Sequence, residues 1–577
     1  MRSLFTWILA AGLAGTALAT PPSIERVAPE KTFVSLWCAD VAAVVAALEA
    51  TPMAKAMDDP RLAASLGKAR QALVDRRTEL ADGDADAGKA VGLPGAVGGA
   101  VFPEEDVELD ATRMAYFLYA DFGDRADKAW DLCAKGLRRA AEESGWTIDE
   151  EDLDGQAALV VTFPDDSDDG DFEAGPMEML GQLVLPPESF VLSRHGSVLV
   201  AASAVHLAED LARELDSPSA TGRLGNSTGW KDAQPGLADS QLAIGVYFSE
   251  FAKLMQPLMA GPAAGAQGVM QALVGDVTAA ALGVSVGTGE RQLALRASVV
   301  HPAGPAGLFK LLEKPAPVTP ATKAMGDDCL SYSAWNVNLA GFPRLLEEVL
   351  AAIPEDVADE VEPMIRGYMP ALSKAFGAMG PRIESASRRD GAEEGGISSV
   401  TRIACSDETS ALPLIQLWGP MLGLQPQEFQ GAQIFADSNE GMPVALGLGS
   451  TGLYFGSRTA VEAGLRAAAA TDAESLAATP AWARATSVIG SGEFVGWGFT
   501  DTVAQAEASG EAMGGQLGMI RQAGVADELA GDKTLGEVSE SWKHVDYKAL
   551  REFIGLTIYS VTQDRTSLRY EWAILNP

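Results

Sequence analysis

A chain of 577 residues has room for about two to four domains, and its apolar content of 47% is ample for packed cores, which argues against global disorder. The formal net charge of −36 repels nucleic acid and anionic lipid head groups, because both need clustered lysine and arginine. No nucleic-acid partner is expected, and the acidity itself speaks to solvation and not to fold.

The amino terminus follows export logic. Arg2 supplies a positive start, Leu4 to Gly15 is an uncharged and mainly apolar run, and Ala17-Leu18-Ala19 places small residues where signal peptidase reads. Residues 1–19 are therefore expected to be a cleaved signal peptide, with Thr20 as the mature start and a periplasmic or extracellular destination. No cysteine follows the cut to take a lipid. Leu254 to Gly275 is uncharged, but Gln256, Pro257, Pro262, Gln267 and Gln271 interrupt it. No later stretch reaches the ~18 apolar residues of a membrane helix, so no integral membrane segment is expected after cleavage.

The first half is expected to span residues 20–313. Phe33 to Trp37 reads as a strand, and Asp40 as the cap of the helix Val41 to Leu48. The Gly/Ala/Asp stretch from Ala81 to Gly99 reads as an exposed loop. Ala115 to Asp121 is a strand with a helix to about Glu143. Gly196 to Ser203 is a strand whose Ser203 is placed to cap a helix from Ala204 to about Leu215. A polar loop with Trp230 and the strand Leu242 to Phe248 follow, then a stretch rich in Gly, Ala and Met. The half closes on a hairpin, Leu282 to Val286 and Leu293 to Val299, ending at His301-Pro302.

Lys314 to Pro320 carries three prolines and reads as an extended joint. The second half, residues 321–577, repeats the order. Leu330 to Trp335 leads through Asn338, a second cap, into a helix near Phe342 to Leu350. Ser399 to Cys405 leads into a helix to about Leu422. Thr451 to Ser457 is a strand, with Ser457 as cap of a helix to about Ala470; Trp482 and the strand Glu493 to Phe499 come next. The closing hairpin is Leu556 to Ser560 and Leu568 to Ile574, ending at Asn576-Pro577. In the two hairpins Leu293, Leu295, Ala297 and Val299 match Leu568, Tyr570, Trp572 and Ile574, and polar residues alternate with them. That period of two marks a sheet with one face buried, expected here to be the apolar one. The expected fold class is α+β, as two similar halves, each a largely antiparallel sheet with helices packed on one face.

In this order the chain resembles duplicated, exported bacterial proteins grouped as domains of unknown function. The shared features are the aspartate after the first strand (Trp37-Cys38-Ala39-Asp40), the turn Thr51-Pro52, the helix start Asp59-Pro60, and the strands that run into Ser203 and Ser457. The resemblance implies compartment and architecture and carries no activity.

Several motifs fit a chemical pattern but not its context. Gly283-Val284-Ser285-Val286-Gly287 matches G-x-S-x-G, yet Ser285 lies inside a strand followed by another strand, not at a strand-to-helix elbow; its counterpart is read as Tyr559. Gly447 to Gly452 matches G-x-G-x-x-G but opens a strand where a dinucleotide site needs a helix. Asp165 to Gly170 begins like a calcium loop, but Pro176 stands where the bidentate acid belongs; Asp82, Asp84 and Asp86 form a second acidic run without a closing ligand. Both read as exposed loops, with calcium binding as the alternative. The four histidines, His195, His206, His301 and His544, form no i, i+4 pair. Cys38, Cys133, Cys329 and Cys405 form no C-x-x-C, and whether they pair or stay free is open. Met255, Met259, Met270, Met513 and Met519 read as core packing, or as the lining of an apolar pocket.

No catalytic, cofactor-binding or metal-binding residue is assigned. The expected function is a non-enzymatic binding or interaction protein of the cell envelope, whose partner is an envelope protein or an apolar ligand held between the halves. The alternatives are a hydrolase with an unrecognised site and an acidic, calcium-binding structural protein.

Overall fold

The computed structural model describes residues 22–62, 91–106, 111–153, 155–163, 184–185, 189–255, 264–312, 314–353, 355–390, 396–406, 408–437, 444–470, 475–508 and 545–577. The expected signal peptide and both acidic runs, at Asp82 and Asp165, lie outside the described residues.

In chain order the elements before the joint are β1 (Val34–Cys38), α1 (Val41–Ala50), β2 (Val97–Asp106), β3 (Ala111–Asp121), α2 (Ala126–Ser144), β4 (Thr147–Leu153), β5 (Gln156–Thr162), β6 (Ser189–His195), β7 (Val198–Ala202), α3 (Val205–Asp216), α4 (Thr228–Leu237), β8 (Leu242–Tyr247), α5 (Phe248–Met255), α6 (Ala264–Val274), β9 (Ala279–Thr288) and β10 (Arg291–Val300). After it come β11 (Cys329–Asn336), α7 (Phe342–Leu350), α8 (Glu355–Ala378), β12 (Met379–Asp390), β13 (Gly396–Cys405), α9 (Glu408–Met421), β14 (Gln425–Phe429), β15 (Ala432–Ala436), β16 (Val444–Gly449), β17 (Gly452–Ser457), α10 (Arg458–Ala469), α11 (Pro480–Ile489), β18 (Gly496–Thr500), β19 (Thr557–Gln563) and β20 (Ser567–Leu575).

The fold is α+β around one large antiparallel sheet. Followed through its pairings, the sheet runs β4-β5-β6-β7-β3-β2-β1-β8-β9-β10, crosses to β20, and continues β19-β18-β11-β12-β13-β17-β16-β15-β14. Among the described residues β4 and β14 pair on one side only and form its ends. One parallel bridge, Val184–Leu185 on Thr112–Arg113, interrupts the pattern.

Helices cover both faces of this sheet, not one. The alternation of β7 shows it: Val200 and Ala202 pack with Leu207, Ala208 and Leu211 of α3, while Leu199 and Ala201, pointing the other way, pack with the α2 residues Ala129, Ala134 and Leu137. β17 divides likewise, Tyr454 toward Val461 and Leu465 of α10 and Leu453 toward Leu414 and Ile415 of α9. A strand buried on both faces has no polar side to show, which is why Val198 to Ala202 is apolar throughout.

Several local expectations change. Asp40 caps α1 as expected, its carboxylate accepting from the Ala43 amide at 2.8 Å. Ser203 is not a cap: Ala204 holds that position, and the Ser203 hydroxyl instead meets Tyr116 on β3, accepting from its amide at 3.0 Å. Ser457 precedes α10 but its hydroxyl makes no capping bond, and Asn338 precedes a single 3₁₀ turn before α7. Trp230 and Trp482 sit on helices. Ser227 and Thr479 cap α4 and α11 by accepting from the Trp230 and Trp482 amides at 3.1 and 3.2 Å.

The stretch read as a loop up to Gly99 is in fact packed from Val91 onward, and β2 starts at Val97. Its glycines answer to a neighbouring strand. A Cβ on Gly98 would stand 2.4 Å from the Tyr119 ring, and one on Gly99 would stand 2.2 Å from Leu118. The proline-rich segment is also held, not loose. Ala316–Pro317 pairs with Glu493–Phe494, and Arg382 on β12 donates to the carbonyls of Thr319 and Pro320 at 3.1 and 3.2 Å. That arginine belongs to a buried ionic group. Glu384, fully buried, meets Arg402 at 2.9 Å and Arg382 at 3.0 Å and accepts from the Tyr332 hydroxyl at 2.8 Å.

Candidate functional site

The most distinctive place in the molecule is the seam where β10 pairs with β20. Leu293 faces Ile574, Leu295 faces Trp572, Arg296 faces Glu571, Ala297 faces Tyr570 and Val299 faces Leu568. The seam therefore has one apolar face and one mixed face, as the alternation requires. α4 and α11 lie on the mixed face. Gln292, Ala294, Ser298, Val300, Ser567, Ala573 and Leu575 are buried there. The expectation that the apolar face is the covered one is overturned. The reason is close approach: Ala294 and Ala573 join the Trp482 cluster, and a Cβ on Gly236 of α4 would stand 2.0 Å from the Ser298 hydroxyl. Small residues let α4 and the Trp482 cluster settle on that side.

The apolar face is left half-open. Leu293, Leu295, Ala297, Val299, Leu568, Trp572 and Ile574 are half-buried, and Leu282 and Tyr570 are 36% and 37% exposed. Tyr559 on β19 stacks on Tyr570 with ring centres 5.9 Å apart, and Trp335 on β11 lies 6.0 Å beyond it. Gly496 and Gly498 of β18 make space for these rings, since a Cβ on Gly498 would stand 2.6 Å from Tyr559. Burial pushes the Tyr559 phenol up to about 12, so it stays neutral, and none of these residues carries a charge. In a chain of net charge −36, this is a wide uncharged strip.

The mixed face holds polar cavities at the seam. One of about 450 Å³ is lined by Thr288, Glu290, Arg291, Arg296, Ser487 and Val488. Arg291 contacts Glu571 there, and the Arg296 Nε is 3.7 Å from the same carboxylate. Ser285 lies within β9, buried, donating to the Asp239 carbonyl at 3.2 Å. Ser285 pairs with Ala294, while Tyr559 faces Trp572 in the second hairpin. Gly447 to Gly452 joins β16 to β17 as a hairpin and opens no helix.

His195 and His206 each meet a carboxylate, Asp216 at 3.0 Å and Glu104 at 2.8 Å, and not a serine or cysteine. His301 is buried against Phe309, with ring centres 5.3 Å apart. His544 lies outside the described residues. None of the four cysteines forms a disulfide, and burial pushes the Cys133 thiol up to about 11, away from reactive thiolate. Met270 is 57% exposed and lines no core, while Met259, Met513 and Met519 lie outside the described residues. Among the described residues no three His, Cys, Asp or Glu side chains gather as a metal site, and no helix is long and apolar enough to cross a membrane. Sequence reasoning missed the seam because no motif marks it; the signal lay in the two final hairpins.

The class that the fold defines is an α+β protein built on one long antiparallel sheet. No protein-family model, curated protein or solved structure matches the chain.

Proposed function

We propose that the protein is an exported, non-enzymatic binding protein made of two copies of one module, and that it takes an apolar partner, an envelope protein or an apolar ligand, on the open face of the seam. The observation that carries this reading is the uncharged strip from Leu282 through Leu295 and Trp572 to the stacked Tyr559 and Tyr570. Rigid aromatic rings on a half-exposed apolar face favour binding, because they give contact area at little entropic cost.

The two-copy reading has its support in the strand order. Adding ten to each strand number in the run β4-β5-β6-β7-β3-β2-β1-β8-β9-β10 gives the order on the other side of the seam, read toward it from β14. The pairing is also symmetric about Arg296 and Glu571, since Leu293 faces Ile574 as Val299 faces Leu568. Ser227–Trp230 and Thr479–Trp482 repeat the same cap on the same helix. The runs differ at residues 163–188, which correspond to the shorter 437–443. Export rests on residues 1–19 alone.

The test uses protein recovered from fractionated cells. The expected chain is found outside the cytoplasm, starts at Thr20, and brightens a polarity-sensitive dye. Replacing Leu282 and Tyr570 by Asp, both at exposed positions, is expected to abolish dye binding while the melting temperature holds within a few degrees. A wild-type protein that leaves the dye dark, or a double variant that binds it as before, sinks the binding reading. A cytoplasmic protein beginning at Met1 sinks the export reading alone.

A further inference from the structure

A second site lies on the mixed face, independent of the apolar strip. Between α4 and the seam is a cavity of about 220 Å³ lined by residues from both sides of the joint, among them Lys231, Asp232, Ser298, Ser567 and Arg569. This is below the roughly 300 Å³ at which drug-sized ligands begin to fit, a size that suits only a small metabolite.

The polar groups are only part-used. Ser298 is 4% exposed and its hydroxyl has no hydrogen-bond partner. That hydroxyl faces Gly236 of α4, where a Cβ would stand 2.0 Å away, so the charged side chains and not Ser298 are what the cavity offers a ligand. Lys231 gives one N–H to the Asn226 carbonyl at 2.7 Å, and an ammonium has two more. Arg569 donates to Ser567 at 3.2 Å and to Asp564 at 3.0 Å, which leaves part of its five-donor fork. Asp232 accepts from the Thr278 hydroxyl through Oδ2, at 3.1 Å, and keeps Oδ1. Two cations and one carboxylate therefore line the same small space. A bare anion is repelled by Asp232 and a bare cation by Lys231 and Arg569, whereas a ligand with both charges meets both.

We propose that this cavity binds a small zwitterionic amino acid, with its carboxylate on Lys231 and Arg569 and its ammonium on Asp232. The residues come from α4, β10 and β20, so the site exists only when the two runs are joined.

The test is calorimetry on the full chain with a panel of the protein amino acids, and with acetate and methylamine as single-charge controls. At least one small amino acid is expected to bind at millimolar concentration, where neither control gives heat. Asp232→Asn and Arg569→Gln are each expected to weaken that binding by roughly tenfold or more. Ser487→Ala, in the separate cavity, leaves it unchanged. Should Arg569→Gln fail to fold, the exposed Lys231→Met takes its place. No heat with any amino acid overturns the proposal, and so does acetate binding as tightly as the best amino acid, which would make this an anion site only. Dye binding at the apolar strip is unaffected by these variants, so the two readings fail separately.

Discussion

At the scale of the residue, the informative comparison is between two cross-strand pairs. Glu384 faces Arg402 across β12 and β13, and Gly98 faces Tyr119 across β2 and β3. On the two-copy reading they occupy one place, since Tyr119 pairs onward with Val200 of β7 and Arg402 with Tyr454 of β17. One copy fills it with an aromatic ring over a glycine, the other with a buried ion pair. Removing one partner of such a pair strands a charge and costs about 3–5 kcal/mol, whereas replacing both by groups that pack is often neutral. Glu384→Ala is therefore expected to lose about 3 kcal/mol or more in urea unfolding. Glu384→Gly combined with Arg402→Tyr, which transplants the other pair, is expected to recover part of it, the remainder being the carboxylate that Arg382 has lost. A double variant as unstable as the sum of the singles would show the pair has a role its packing does not explain. None of this was legible in the sequence: the glycines of β2 look like loop residues because their reason, the Tyr119 ring, lies on another strand.

At the scale of the element, hairpins and caps separate what was legible from what was not. The final hairpins could be read because a period of two is a property of the strand itself. Which of their faces is covered could not, because that depends on where α4 and the Trp482 cluster land. α4 was hidden by Pro235 within it, although Ser227 three residues before Trp230 is a cap signal. Helices on both faces were likewise invisible, since apolar runs such as Val198 to Ala202 fit a buried strand of either kind. The two end strands show how the sheet stops. β4 presents Asp149, Glu150, Glu151 and Asp152 in succession, and β14 carries Pro426. Charge and proline are the usual means of keeping a bare edge from recruiting another chain. Replacing Glu150, Glu151 and Asp152 by threonine is expected to produce concentration-dependent association in light scattering, with little change in melting temperature. A variant that stays monomeric would show that the acidic edge serves another purpose.

At the scale of the whole molecule, the seam ties distant parts of the chain together. The Gln292 side chain accepts from the Met53 amide at 2.6 Å and donates to the carbonyls of Phe553 and Leu575 at 2.8 and 2.9 Å. Arg61 pairs with Glu552 at 2.7 Å. With a continuous ladder and these ties, the two runs are expected to unfold together, in one calorimetric transition that tryptophan fluorescence and far-UV signal report alike. Two separable transitions would show that the seam does not couple them. That the runs join edge to edge through their last strands was not written in either hairpin, because each pattern is satisfied equally by a free edge.

The length of the joined sheet has a consequence for what it holds. Neighbouring strands rotate by roughly 20–25° on average, and open sheets beyond ~10 strands curl instead of lying flat. Over the ladder from β4 to β14, rotations of that average size would add up to a full revolution or more. A broad, planar guest can touch only a few strands before the surface turns away from it. The shape best suited to the strip along β9, β10 and β20 is slender: a single extended chain, or a helix laid obliquely across the ribbon.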